Sequence, residues 1–239
     1  MKRLKRAARI LYNKSITAID RLGKKPILAI GDSHAAVFNH PRARLPKHYF
    51  NTCSVVGATI SGLENPNSQT QALPVFQKSL SGFSGQFCVV QLGEVDTGFV
   101  IWYRAKKHNL RVDEILEQTV TNYLKFINSI PKSIHPIVIS APLPTIQDGQ
   151  NWGEVANLRK EVDAPLSART KLTFRLNQAI ENESGRFSYL NLDPLSTGED
   201  GLVDKSLLST DPNDHHYDQA AYLSLLLKPL ESIISAKAD

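Results

Sequence analysis

Along this chain, short runs of apolar residues alternate with longer stretches in which apolar positions recur every three or four residues. Ile27-Leu28-Ala29-Ile30, framed by Pro26 and Gly31, is a short continuous apolar run, the pattern of a strand buried on both faces of a parallel sheet. Phe50 to Val56, Phe87 to Leu92 and Pro136 to Ser140 have the same character, and Phe187 to Leu192 is a weaker fifth candidate. Val112 to Ile130 instead shows helical spacing through Ile115, Leu116, Val120, Tyr123, Leu124 and Ile127, and Ala168 to Asn182 does so through Leu172, Phe174, Leu176 and Ile180. A last helix opens after Asp218, a candidate N-cap, and carries Leu223, Leu226 and Leu227, with Pro229 expected to kink or end it. Strand followed by helix through most of the chain predicts right-handed βαβ units and a doubly wound α/β sheet with helices on both faces.

Two stretches stand apart from this alternation. Leu4, Ala8, Leu11, Ala18, Ile19 and Leu22 fall near one helical face with Lys and Arg elsewhere, so residues 1–25 form a basic amphipathic helix ahead of one domain spanning 26–239. That helix either lies on an anionic membrane surface or a partner, or packs loosely on the domain as a solvated helix. Gln147 to Leu166 is polar and irregular, a lid or substrate loop or else a surface excursion.

Composition narrows the class. A chain of 239 residues, 41% hydrophobic and 21% charged, is long enough to bury one large core. The formal net charge of +5 sits largely in Lys2, Arg3, Lys5, Arg6, Arg9, Lys14, Arg21, Lys24 and Lys25, against the single acid Asp20 in that stretch. The rest is slightly acidic, which argues against a nucleic-acid groove lined by cations. Ile10-Leu11-Tyr12, the longest uncharged apolar stretch of the N-terminus, is too short for a secretory h-region, and no window approaches a membrane span of about 20 apolar residues. The expected location is cytoplasmic, with peripheral membrane contact through the basic helix left open. Cys53 and Cys88 lie in strand-like runs, where they bond only if their strands are adjacent, and nothing around them has metal-ligand spacing. His215 and His216 form an isolated pair in the sequence, so neither a metal nor a cofactor is expected.

In open α/β sheets ligands bind outside the carboxyl ends of the strands, so the residues that follow the strands carry the chemistry. They are Gly31-Asp32-Ser33-His34, Val56-Gly57-Ala58-Thr59, Gly93-Glu94-Val95-Asp96 and Ala141-Pro142-Leu143-Pro144, joined near the end of the chain by Asp211-Pro212-Asn213-Asp214-His215-His216-Tyr217-Asp218. A serine hydroxyl becomes a nucleophile when a base takes its proton, a carboxylate orients that base, and fixed donors receive the oxyanion. Ser33 at a strand-to-helix turn can be the nucleophile or simply cap the next helix, and Gly57 can offer an oxyanion N–H or be a turn glycine needing positive φ. Asp32, His34, Glu94, Asp96 and Arg104 are candidate substrate contacts; Asp96 also suits a buried structural pairing, and Arg104 a pairing with Glu94 or a solvated surface charge.

Gly-Asp-Ser after the first strand, Gly after the second, Gly-x-x-Asp after the third and an Asp/His motif before the last helix resemble, in order, the four blocks of the SGNH (GDSL) hydrolases. The resemblance spans roughly residues 26–230. It implies a flavodoxin-like three-layer α/β/α sandwich and a serine esterase working through an acyl-enzyme on Ser33, with a small-molecule or glycan ester as substrate. Esterases, lipases, carbohydrate O-acetylesterases and some acyltransferases share that superfamily, so an O-acyltransferase of glycan biosynthesis is a second reading and a non-catalytic glycan- or protein-binding module a third. The chain departs from the family pattern twice. Val95 stands where the family places an oxyanion Asn, and the ionised carboxylates of Glu94 and Asp96 cannot donate in its stead, so the polar loop after Gly57 is the place to look for a donor. In the last block the family sets its Asp three residues before its His, but Asn213 and Pro212 hold those positions here. His216 is preferred as base because Tyr217-Asp218 then leads into the helix, with His215 as the alternative; Asp214 is preferred as orienter over Asp211, and the N–H groups of Ser33 and Gly57 as the oxyanion donors.

Overall fold

The computed structural model describes residues 21–149, 162, 164–211 and 214–238. The basic segment up to residue 20, most of the Gln147 to Leu166 loop and the Pro212-Asn213 pair lie outside the described residues.

Five parallel strands, β1 (Lys25–Gly31), β2 (His48–Ser54), β3 (Phe87–Gln91), β4 (His135–Ile139) and β5 (Ser188–Leu190), form one sheet in the order β2-β1-β3-β4-β5. Alternation along a strand sends its side chains to opposite faces. Leu28 and Ile30 of β1 join Cys88 and Val90 of β3 on one face, whereas Ile27, Ala29, Phe87 and Val89 fill the other. Both faces are therefore apolar, which is why these strands read as continuous hydrophobic runs.

The first face is covered by α1 (Ala72–Ser81), α2 (Ile101–His108), α3 (Val112–Ser129) and α4 (Leu166–Asn182) through residues such as Phe76, Ile101, Phe126 and Leu176. The second is covered by a 3-10 helix, Ser33–Asn39, and by α5 (Gln219–Ala238) through Val37, Phe38, Leu226 and Leu230. This is a three-layer α/β/α sandwich. Asp218 caps α5, accepting from the Ala221 amide at 2.9 Å. Of the two outcomes expected of Pro229, a kink or an end, it does not end α5: the helix runs on to Ala238. Proline removes one helical hydrogen bond, and burial of Leu226, Leu230 and Ile234 on either side of it holds the helix together. Cys53 and Cys88 are both free. They sit on β2 and β3, which flank β1 on opposite sides, so a whole strand separates them.

The order 2-1-3-4-5 places the topological switch point between β1 and β3, where chain connections leave in opposite directions and open a crevice at the carboxyl edge. Gly31 makes that edge possible. A Cβ there would stand 2.2 Å from the Gln91 carbonyl oxygen and 2.7 Å from Ala35 Cβ, so only glycine lets the end of β1 lie this close to β3.

Candidate functional site

The turn after β1 is fixed by its aspartate. Asp32 is fully buried and caps the 3-10 helix: its Oδ1 accepts from the His34 amide at 2.9 Å and lies 3.2 Å from His34 Nδ1. The Asp32 carbonyl in turn accepts from Ser54 Oγ at 2.7 Å. Ser33, between the capping aspartate and His34, is left half-buried at the mouth of the crevice. Capping is thus the work of Asp32, and the Ser33 side chain lines a cavity.

From the far end of the chain, the segment before α5 brings an imidazole to the same place. His216 Nδ1 donates to Asp214 Oδ1 at 2.6 Å, and the His216 amide donates to the same oxygen at 3.0 Å. This orientation leaves Nε2 as the ring nitrogen with a free lone pair. Nε2 is buried and has no hydrogen-bond partner among the described residues. Burial pushes the Asp214 carboxyl up, but the bonds from the His216 amide and ring, with the nearby charge of His216 and His215, outweigh it and hold the group below the usual carboxylate range. Asp214 therefore keeps its negative charge against the ring it orients. A cavity of about 220 Å³ is lined by Ser33, His34, Asp214 and His216, together with Val56, Tyr217 and Tyr222.

The remaining candidates are placed differently. His215 does not line the cavity; its carbonyl accepts from Thr145 Oγ1 at 2.6 Å, and its ring packs against His216 at 4.1 Å and His34 at 5.9 Å between centroids. Asp211 is exposed, and its carbonyl accepts from the Asp214 amide at 3.0 Å. Gly57 is exposed with φ +72°, the conformation of a turn glycine. Arg104 stands on α2, where it donates to Gln118 on α3 at 2.9 Å, and it is not among the residues lining the cavity. Glu94 is buried at the end of β3.

Asp96 is a clamp. Its two oxygens accept from the Ile60 amide at 2.7 Å and the Ser61 amide at 3.0 Å, tying the helical turn Ile60–Leu63, and with it the Gly57 loop, to the end of β3. Burial pushes its carboxyl up to about 6, against the pull of those two backbone bonds. Val95 is half-buried just ahead of a π-helical turn, Asp96–Val100, and presents no donor.

Among the lining residues not singled out as site residues from the sequence are Ser54, Tyr217 and Tyr222. Ser54 had a signal, because parallel register sets it opposite Gly31. Tyr217 and Tyr222 had none beyond nearness to His216. The Tyr217 hydroxyl accepts from the Leu143 amide at 2.7 Å, and the Tyr222 hydroxyl accepts from the Gln91 side-chain amide, which braces α5 against the strand ends.

The fold is that of the SGNH (GDSL) hydrolases. A GDSL-like lipase from Bacteroides thetaiotaomicron superposes with a TM-score of 0.56 at 14% identity, covering 89% of each chain. An aryl esterase from M. smegmatis gives a TM-score of 0.52 at 13% identity over 88% of this chain and 99% of its own. A carbohydrate acetylesterase from Sinorhizobium meliloti gives 0.52 at 11% identity over 89% and 99%. No family model matches the sequence, and no curated protein does. No described helix is long and apolar enough to cross a membrane.

Proposed function

We propose that the protein is a serine esterase of the SGNH type, with Ser33 as nucleophile, His216 as base and Asp214 as the carboxylate that orients it. One observation carries this reading: Ser33 after β1 and the Asp214–His216 pair before α5, far apart in sequence, line one cavity at the carboxyl edge of the sheet. In the reaction, His216 Nε2 takes the Ser33 proton as Oγ bonds to the ester carbonyl carbon. The oxyanion is received by the Ser33 and Gly57 N–H groups. The tetrahedral intermediate then expels the alkoxide, which leaves as alcohol with the proton held on His216, and the acyl group stays on Ser33. Water, deprotonated by His216, attacks the acyl carbon, releases the acid and returns the proton to Ser33.

A cavity of about 220 Å³, walled in part by Val37 and Val56, suits a short acyl chain better than a long one. A small acyl group on a carbohydrate is the substrate class this favours, and the acetylesterase among the structural neighbours supports the same choice. The test is turnover of p-nitrophenyl acetate and of peracetylated glucose by the full chain. Both should be hydrolysed by the wild type and not by Ser33→Ala, with longer acyl chains slower; folded wild-type protein inert toward every ester would favour the binding module. Val95 is the observation behind that second reading, since a site built only to bind has no need of the oxyanion donor it lacks.

A further inference from the structure

Sequence spacing puts only one His pair in the last block, and folding adds a third imidazole to it. The His34 ring, turned by its Nδ1 contact to buried Asp32, lies 4.7 Å from the His216 ring and 5.9 Å from that of His215, while His215 and His216 are 4.1 Å apart. Asp214 adds a carboxylate. One donor atom from each of Asp214, His215 and His216 lies within 4.8 Å of the others, close to the spacing of ligands around one ion. Metal–nitrogen and metal–oxygen distances of about 2.0–2.2 Å require donors somewhat nearer than that. The two histidines are only half-buried and Asp214 is exposed, so small rotamer changes can close the gap. His216 Nε2, buried and without a partner among the described residues, offers a lone pair within the group.

We propose that Asp214, His215 and His216 form a binding site for a divalent transition-metal ion of the zinc type, and that the ion silences the site when bound. Two imidazoles and one carboxylate suit Zn²⁺, Ni²⁺ or Cu²⁺ and not Mg²⁺ or Ca²⁺, which take oxygen ligands. A metal held on His216 occupies the nitrogen that must accept the Ser33 proton, and a metal held on Asp214 removes the carboxylate that orients the ring. Silencing rests on the esterase reading; binding of the ion does not.

The experiment therefore measures binding apart from catalysis. Zn²⁺ is titrated calorimetrically into the full chain carrying Ser33→Ala, with Mg²⁺ as the control ion. One Zn²⁺ should bind per chain in the micromolar range, Mg²⁺ should not bind, and His215→Gln and Asp214→Asn should each weaken Zn²⁺ by roughly tenfold or more. Two substitutions at half-buried or exposed positions guard against one variant failing to fold. Absence of saturable Zn²⁺ binding, or binding that neither substitution weakens, overturns the site. In wild-type protein, ester turnover should fall in proportion to Zn²⁺ occupancy and recover on chelation; turnover indifferent to bound Zn²⁺ overturns the silencing while leaving the site standing.

Discussion

Replacing Asp214 with Asn tests how much of the proposed chemistry depends on the charge behind the base. Asp214 Oδ1 accepts from both the amide and the ring of His216, at 3.0 and 2.6 Å. An Asn oxygen can keep both bonds, and the backbone N–H holds the amide with its oxygen inward, so ring orientation and tautomer survive. What is lost is the attraction between carboxylate and the imidazolium formed during acylation. At a charge separation of about 4 Å that attraction is about 1 kcal/mol in water and about 4 kcal/mol at the effective dielectric of a protein surface. The side chains of His216 and Asp214 are 29% and 42% exposed, which sets the value between these limits at about 2 kcal/mol. Each 1.36 kcal/mol is tenfold in rate, so kcat/KM for p-nitrophenyl acetate should fall about 30-fold. That is far less than the roughly ten-thousandfold loss known where the Asn leaves the imidazole in the wrong tautomer. Loss of less than about twofold would show that Asp214 does not assist His216, and loss as complete as that of Ser33→Ala would show that its role is not electrostatic support.

Two further substitutions probe the frame of the site. Gly31→Ala sets a Cβ 2.2 Å from the Gln91 carbonyl, a clash with backbone that no rotamer relieves, so urea denaturation should show a loss of about 3 kcal/mol or more; a loss under about 1 kcal/mol would mean that β1 and β3 can part freely. Asp96, held at about 6 by burial, has a folded pKa above its ordinary value of 3.8, so its protonated form is favoured by folding. The stability this confers is complete below about pH 4 and is lost as pH rises to about 6, a change of about 3 kcal/mol at 1.36 kcal/mol per unit. Asp96→Asn should flatten the dependence of stability on pH in that window, and an unchanged slope would contradict the burial argument.

Much of the fold was legible because parallel strands buried on both faces leave continuous apolar runs. Ile27 to Ile30 and Phe87 to Gln91 lie in β1 and β3, and α3 and α4 begin and end within two residues of their apolar periodicity. What was not legible followed from tertiary packing. α1 and α2 span only 10 and 8 residues, too few turns for a helical period to stand out, and they are anchored by Phe76 and Ile101 against a sheet the sequence does not display. Whether Pro229 ends the helix depends on the burial around it, which the sequence does not display. At the site, Asp32 proved to be a cap through its local bond from the His34 amide, and Asp96 a clamp, a role settled by partners at Ile60 and Ser61 that only the fold brings near. The Asp214–His216 contact is local, a two-residue loop within one segment, and for that reason it was within reach of sequence reasoning.

A nucleophilic Ser33 should be captured covalently by an electrophile that mimics the ester. Full-length protein is treated with a fluorophosphonate, its intact mass is measured, and the modified residue is located by peptide mapping. One adduct per chain is expected on Ser33, with none formed by folded Ser33→Ala. Folded wild-type protein that remains unmodified, or an adduct that persists in Ser33→Ala, would mean that Ser33 is not the nucleophile.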